Sequence, residues 1–162
     1  MLTQAKSLTH EHLLSIINTE SIRFPEDRVV RILDAGCGNG NLISYLFENL
    51  QELKSPLTFE IHGFDVSDHC IDKTTAFPEG VITRLNNQFP EIPWQDRITA
   101  ISVKDSWPYP NEYFDVIVSN QVGEHVDNHH LFFSEIQRTL KKGGFSVHIF
   151  PLKHYVYEGH LF

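Results

Sequence analysis

The amino-acid sequence predicts an α/β fold, a doubly wound and mainly parallel sheet with helices on both faces. Short β-branched apolar runs recur along the chain, and stretches with apolar residues at helical spacing separate them. The first run, Val29 to Leu33, is typical of a buried parallel strand, and a glycine-rich turn and an amphipathic helical pattern follow it directly. Strands that alternate with helices form parallel sheets whose crossovers cover both faces.

The predicted elements follow one another in a regular order along the chain. Thr9 is expected to cap the first helix, whose apolar face includes Leu13 and Ile17. The first strand then ends at Asp34, and Pro56 limits the helix that follows it. The predicted helices span residues 9–20, 39–53, 67–78, 79–88 and 127–140, and the predicted strands span residues 29–34, 59–65, 97–103, 114–119 and 145–150.

Length and composition bound the class of protein. The chain has 162 residues, of which 41% are hydrophobic and 21% charged, as in one globular domain. Its formal net charge of −8 disfavours nucleic acid as a partner. No apolar run approaches the ~20 residues of a membrane helix, and no secretory signal is evident. Cys37 and Cys70 lack the spacing of zinc ligands and are expected to be reduced, which indicates a cytoplasmic protein. Because no long apolar run occurs, no membrane partner is predicted.

The glycine-rich turn reads D-A-G-C-G-N-G over residues 34–40. Without Cβ atoms, the glycines allow unusual φ/ψ angles and the close approach of a ligand to the backbone. Open α/β sheets bind nucleotides at such a turn, at the carboxyl end of a strand. Dinucleotide dehydrogenases favour G-x-G-x-x-G, whereas here an acid precedes G-x-G-x-G. The spacing therefore disfavours a nicotinamide oxidoreductase.

This turn resembles motif I of the class I S-adenosylmethionine-dependent methyltransferases, and three further segments occur in the order that the family has. Residues 59–67 are similar to its second strand, which ends in an acid, here Asp65. Residues 103–120 resemble its third-strand loop and fourth strand. Leu140 to Phe145 is similar to its L-K-P-G-G-x segment, with Lys142 in place of the proline. The resemblance covers roughly residues 29–151 and implies a Rossmann-like methyltransferase fold.

The resemblance also implies S-adenosylmethionine as the cofactor and gives residues to its parts. Asp65 would accept hydrogen bonds from the ribose hydroxyls, and Asp105 with Ser106 would contact the adenine. The glycine loop would pack along the adenosyl and methionine parts, with Asp34 near the amino group and Asn120 near the amino-acid end. The predicted cofactor-binding residues are Asp34, Ala35, Gly36, Cys37, Gly38, Gly40, Asp65, Val66, Asp105, Ser106, Asn120 and Gln121.

His125 is the candidate catalytic residue. It follows the fourth strand, where the methyl group is expected, and histidine titrates near neutral pH, as a general base requires. A base is needed only if the acceptor must lose a proton; otherwise His125 is a structural residue. His125 and His129 also have the i, i+4 spacing of metal ligands, but no third ligand type stands near them, so no metal is predicted.

The predicted activity is methyl transfer by in-line displacement to an acceptor, most simply a small molecule, which corresponds to the class EC 2.1.1.-. Two alternatives keep the same fold, a catalytically inactive binding subunit and an aminopropyltransferase. One domain is expected, with residues 1–28 as an N-terminal helical lid, 29–151 as the cofactor-binding core and 152–162 as an incomplete tail. Because the family fold continues with a helix and two more strands, we expect a fragment truncated after the fifth strand. The oligomeric state is not predicted.

Overall fold

A computed structural model of the protein describes residues 7–53, 55–66 and 77–151, and within them the strands form one parallel sheet. The strands are β1 (Val29–Ala35), β2 (Thr58–Val66), β3 (Ile98–Ile101), β4 (Phe114–Asn120) and β5 (Leu140–Ile149). They lie in the order β3-β2-β1-β4-β5, and every neighbouring pair is parallel. The predicted doubly wound α/β fold is confirmed.

The described helices are α1 (Leu8–Ser21), α2 (Asn41–Glu52), α3 (Glu79–Gln88) and α4 (His129–Thr139). Ser7 rather than Thr9 caps α1, because its side chain accepts a hydrogen bond from the backbone N–H of His10. Asn128 caps α4 in the same way, through the backbone N–H of Leu131. The bounds predicted for α3 are correct, and the helix predicted over 67–78 lies largely outside the described residues.

Two apolar cores lie on opposite faces of the sheet, which is why the strands are apolar on both sides. On one face, α1, α2 and α3 pack against side chains such as Ile32 and Val118. On the other face, α4 packs against side chains such as Leu33 and Ile117. Neighbouring residues of one strand therefore belong to different cores, and the prediction of helices on both faces holds.

The junction of α4 with β5 differs from the prediction. The helix predicted over 127–140 ends at Thr139, and the strand predicted from residue 145 begins at Leu140, which pairs with Phe114. The pairing is irregular at its start, where Gly143 has a φ of +82°. A Cβ on Gly144 would lie 2.6 Å from the carbonyl oxygen of Asp115. The two glycines thus form a bulge within the strand rather than a turn before it.

A buried carboxylate ties the amino ends of three strands together. Asp115, which is 1% exposed, accepts hydrogen bonds from the side chain of Arg28 and the backbone N–H of Arg31, the second at 2.9 Å. The Lys141 Nζ atom donates to the same carboxylate at 2.9 Å. These bonds hold β1, β4 and β5 together at their amino ends. The carboxyl ends of the strands, at the opposite end of the sheet, are left for other contacts.

From β1 the sheet grows in two directions, to β2 and β3 on one side and to β4 and β5 on the other. The connections of β1 and β4 therefore leave the sheet on different faces, which opens a crevice at their carboxyl ends. Across the described ranges, none of the helices is long and apolar enough to span a bilayer.

Candidate functional site

A cavity of about 830 Å³ lies in this crevice, at the carboxyl ends of the parallel strands. Its floor is the loop between β1 and α2. One side is formed by the end of β2 and residues 101–107, and the other by residues 120–132 and His10 of α1. The cavity is thus built from the segments that follow four neighbouring strands, with one helix closing it.

Three glycines give the floor its shape. Gly36, Gly38 and Gly40 have φ angles of +83°, +50° and +70°, which L side chains rarely adopt. A Cβ on Gly36 would lie 2.5 Å from the Val122 Cγ2 atom, so only glycine fits there. The backbone N–H groups of Gly36 and Cys37 donate to the carbonyl oxygen of Phe64, which fixes the loop to β2.

Asp65 stands at the end of β2 and faces this loop. Its Oδ2 atom accepts a hydrogen bond from the backbone N–H of Gly38 at 2.6 Å, and its Oδ1 atom accepts one from Val66 at 2.7 Å. Each carboxylate oxygen accepts more than one hydrogen bond, so both retain capacity for hydroxyl groups of a ligand. The side chain is held in place and lines the cavity.

Asp34 is the most strongly perturbed acid of the cavity. Burial, together with the nearby charge of Asp65, raises the pKa of Asp34 to about 8. Burial also raises the pKa of the Cys37 thiol well above its usual range, which keeps this free thiol protonated and unreactive. Asp34 and Asp65 are close enough to interact electrostatically. Two neighbouring carboxylates favour a positively charged ligand, since a cation offsets their mutual repulsion.

Asn120 gives a second indication of a ligand. Its Oδ1 atom is buried without a hydrogen-bond partner among the described residues, although the side chain borders the cavity. A buried acceptor without a donor costs about 1–3 kcal/mol, which a donor on a bound ligand recovers. Next to it, Gln121 has a φ of +57° and turns the chain away from the end of β4.

Most of the predicted site residues come together in this cavity. Those that line it are Asp34, Gly36, Cys37, Gly38, Asp65, Val66, Asp105, Asn120, Gln121 and His125. Three others do not line it. Ala35 is fully buried in the core beneath the loop, Gly40 faces Val81 and Arg84 of α3, and Ser106 is exposed beside the cavity.

Sequence reasoning missed the side chains that close the cavity. His10 is 8% exposed although it lies near the start of α1, and Trp107 and Phe132 are buried in the wall. A polar residue on the inner face of the first helix was the available signal for His10. His125 lies at the mouth with 73% of its side chain exposed, and its Nε2 atom is 4.0 Å from Glu124. Within the described ranges, no group of three or more His, Cys, Asp or Glu residues is placed to hold a metal.

Comparison with known proteins decides the family. A family model described as a methyltransferase domain matches residues 8–161 of the chain. The chain belongs to this methyltransferase family. The resemblance to class I S-adenosylmethionine-dependent methyltransferases is therefore confirmed.

Individual relatives agree with this result. The methyltransferase is 30% identical over 114 residues to the biotin biosynthesis bifunctional protein BioHC of Teredinibacter turnerae, covering 70% of this chain and 18% of BioHC. It resembles the CMeT domain of the citrinin polyketide synthase with a TM-score of 0.67 and 16% identity, covering 88% of this chain and 34% of that chain. It also resembles geranyl diphosphate methyltransferase, solved in complex with GPP and sinefungin. The TM-score is 0.58 and the identity 20%, and the match covers 86% of this chain and 43% of that chain. The two solved structures show the shared fold, and the methyltransferase spans less than half the length of each of the three proteins.

The family implies S-adenosylmethionine, and the residues of the cavity fit it. The unpartnered Asn120 Oδ1 atom and the Asp34 carboxyl suit the ammonium group of its amino-acid end. Asp65 suits its ribose hydroxyls, and the glycine floor offers backbone along its length. No Lys or Arg except Lys104 is among the described residues that line the cavity, so its lining suits a cation.

Proposed function

We propose that the methyltransferase moves the methyl group of S-adenosylmethionine to a small-molecule acceptor that enters between α1 and residues 121–132. The continuity of the cavity is the observation that carries this proposal. One space reaches from Asp65 and Asp105 on the β2–β3 side to His10 and His125 on the β4 side. A cofactor held at the first side leaves room for a second ligand at the other.

The residues on the β2–β3 side would hold the cofactor. Asp65 would accept from the ribose hydroxyls, Asp105 would accept from the exocyclic amine of adenine, and Asn120 would accept from the ammonium group. When bound, S-adenosylmethionine supplies a methyl group on a sulfonium ion, which is already a good electrophile. The remaining tasks of the protein are to orient the acceptor and to keep water out.

The acceptor side is mostly apolar, with a few polar groups at its rim. Val122, Val126, Leu131 and Phe132 line it, and His10 and Asn128 add polar atoms. Such a wall suits a small ligand of mixed polarity, in which a few polar contacts fix the orientation. We propose His125 as the base that takes a proton from an acceptor hydroxyl or carbon acid, since it stands at the mouth of this side.

Calorimetry with S-adenosylhomocysteine tests the cofactor part of the proposal. We expect a dissociation constant in the micromolar range and at least a roughly tenfold loss for Asp65→Ala, because charge-assisted bonds to the ribose disappear. Asp65→Asn keeps an acceptor for the Gly38 N–H but removes the negative charge. It therefore separates support of the loop from charge-assisted recognition of the ribose hydroxyls. Asp96→Ala, at an exposed position that does not line the cavity, is the matched control. Absence of binding by the folded, unaltered protein contradicts the proposal.

Turnover with methyl-labelled S-adenosylmethionine and a panel of small acceptors tests the reaction. Label in an acceptor supports methyl transfer. Cofactor binding without transfer, together with a stable protein partner, favours the inactive binding subunit. Preference for the decarboxylated cofactor over S-adenosylmethionine favours aminopropyl transfer.

A further inference from the structure

Two charged residues at the end of α4 hold the loop that follows β3. The Arg138 guanidinium donates through Nη1 to the carbonyl oxygen of Tyr109 at 2.7 Å and through Nη2 to that of Trp107 at 3.0 Å. The Glu135 Oε2 atom accepts a hydrogen bond from the backbone N–H of Trp107 at 2.6 Å. Both polar backbone groups of Trp107 are thus bound by one helix.

The two residues also hold each other. Arg138 donates through Nε to the Glu135 Oε1 atom at 3.0 Å and through Nη2 to the Oε2 atom at 2.7 Å. The Glu135 side chain is only 7% exposed, so this two-bond pair is not a solvated surface contact. Arg138 holds the pKa of Glu135 below its usual value, which keeps the carboxylate ionised as an acceptor for the loop.

The loop they hold forms a wall of the cavity. The indole of Trp107 lies 4.6 Å from the Phe64 ring and 5.5 Å from the Phe132 ring, measured between centroids. Residues 102–105 and Trp107 line the cavity, and Asp105 stands two residues before the bound backbone of Trp107. Displacement of Trp107 would therefore move the carboxylate expected to meet the adenine.

We propose that Glu135 and Arg138 are positioning residues that set the adenine end of the cofactor site by fixing residues 105–109. The inference rests on the proposed function, since it requires the adenosyl group on the β2–β3 side. Arg138 acts through its planar guanidinium, which reaches two carbonyl oxygens and a carboxylate at once; a lysine ammonium has the charge but not this geometry. The pair touches the loop and contributes no group to the cavity itself.

Recognition of the base gives a test that general destabilisation does not mimic. We compare S-adenosylhomocysteine with S-inosylhomocysteine, which lacks the exocyclic amine that Asp105 would bind. In the unaltered protein we expect the adenosyl compound to bind about tenfold more tightly. In Arg138→Lys the ratio of the two dissociation constants should fall to about one, because Asp105 is no longer held opposite the base. Glu135→Gln, which keeps the size of the side chain, should lower the ratio in the same direction.

Fluorine NMR of protein labelled with 5-fluorotryptophan reports on the loop itself. The chain has two tryptophans, so the spectrum contains one resonance from Trp107 and one from the fully buried Trp94. The Trp107 resonance should move or broaden in Arg138→Lys while the Trp94 resonance stays in place. Arg23→Lys is the matched control, because Arg23, just after the end of α1, pairs with Glu20 at the same i, i+3 spacing.

The outcomes separate this inference from the proposed function. An unchanged ratio in Arg138→Lys and Glu135→Gln contradicts the inference alone. If the Trp94 resonance of one variant also moves, that variant has changed beyond the loop. The other variant then decides, through its ratio of dissociation constants and its Trp107 resonance. An equal effect of Arg23→Lys contradicts the inference as well. If the unaltered protein fails to bind S-adenosylhomocysteine, the proposed function fails and the inference with it.

Discussion

Asp34, at the floor of the cavity, makes ligand binding dependent on pH. Its pKa is about 8 in the folded protein and 3.8 in its ordinary state, so the native state binds an extra proton between these values. The unliganded protein therefore loses stability as the pH rises through this window. An ammonium group favours the ionised form, so S-adenosylhomocysteine should bind more tightly toward pH 8, by up to about tenfold per pH unit.

Calorimetry at several pH values in buffers of different ionisation enthalpy checks this dependence, because binding should release a proton. Asp34→Asn removes the titrating group and should give a nearly flat profile. A slope that survives in Asp34→Asn would assign the dependence to another group.

His125 offers a second prediction at the scale of one side chain. If it takes a proton from the acceptor, His125→Gln should lower kcat by about a hundredfold, as loss of a general base does. The dissociation constant of S-adenosylhomocysteine should stay within about twofold, because His125 lies on the acceptor side. His130→Gln, at an exposed position that does not line the cavity, is the control. Full turnover by His125→Gln would leave the imidazole without a catalytic role.

Single residues were predictable from sequence where the strand pattern fixed their place. Asp65 and Asp105 both line the cavity, because an acid at or after the end of a parallel strand lies at the same edge as the glycine turn. Glu135 and Arg138 were not predictable, since an acid and a base three residues apart also describe an ordinary exposed helix pair. Only the tertiary placement of the loop against α4 distinguishes the two cases.

The loop between β1 and α2 allows a prediction at the scale of an element. Gly36 and Gly143 have nearly equal φ angles, +83° and +82°, but a Cβ would meet Val122 at the first and nothing within 4 Å at the second. Gly143→Ala should cost about 1–2 kcal/mol of the free energy of unfolding from backbone strain alone. Gly36→Ala should cost about 2–4 kcal/mol, since the stiff Val122 side chain must also move.

Urea unfolding and calorimetry together check this pair. Gly36→Ala should also weaken binding of S-adenosylhomocysteine, because Val122 lines the cavity, whereas Gly143→Ala should leave the affinity as it is. Equal losses of stability and affinity in the two variants would contradict the role of the Val122 contact.

The sequence predicted which segments form helices and which form strands better than it predicted where each helix or strand begins and ends. The period of the apolar residues and the flanking turns predicted all five strands and most helices. The fifth strand, however, was predicted to begin at residue 145, after the paired glycines, and not at Leu140. In the structure the same glycines permit a bulge that keeps β5 against β4, close to the carbonyl oxygen of Asp115. A close backbone approach of this kind depends on the neighbouring strand and is absent from local sequence.

Across the whole molecule, the amino ends of the strands hold a buried ion-pair cluster that contributes to stability, and the carboxyl ends form the cavity that binds the ligand. Asp115 lies at the amino ends of the strands, away from the cavity, and binds Arg28 and Lys141. Asp115→Asn should lower the free energy of unfolding by about 2–4 kcal/mol, because two cations lose their buried partner. Its effect on the affinity of the folded protein for S-adenosylhomocysteine should be below about twofold.

Urea unfolding and calorimetry at low temperature measure the two quantities separately. Glu112→Gln, beside Lys142 in an exposed pair at 3.9 Å, is the control and should leave both nearly unchanged. A large loss of affinity in folded Asp115→Asn would show that the two ends of the sheet are coupled.

The order of the strands has a consequence for synthesis on the ribosome. β1, β2 and β3 are neighbours in the sheet and leave the ribosome before β4, so three of the five strands can pair before β4 is free to join them. At that stage β1 has a free edge with unpaired backbone groups, which is the template on which β4 and then β5 are added. The floor and the β2 side of the cavity thus leave the ribosome before the wall at residues 120–132 is free to fold.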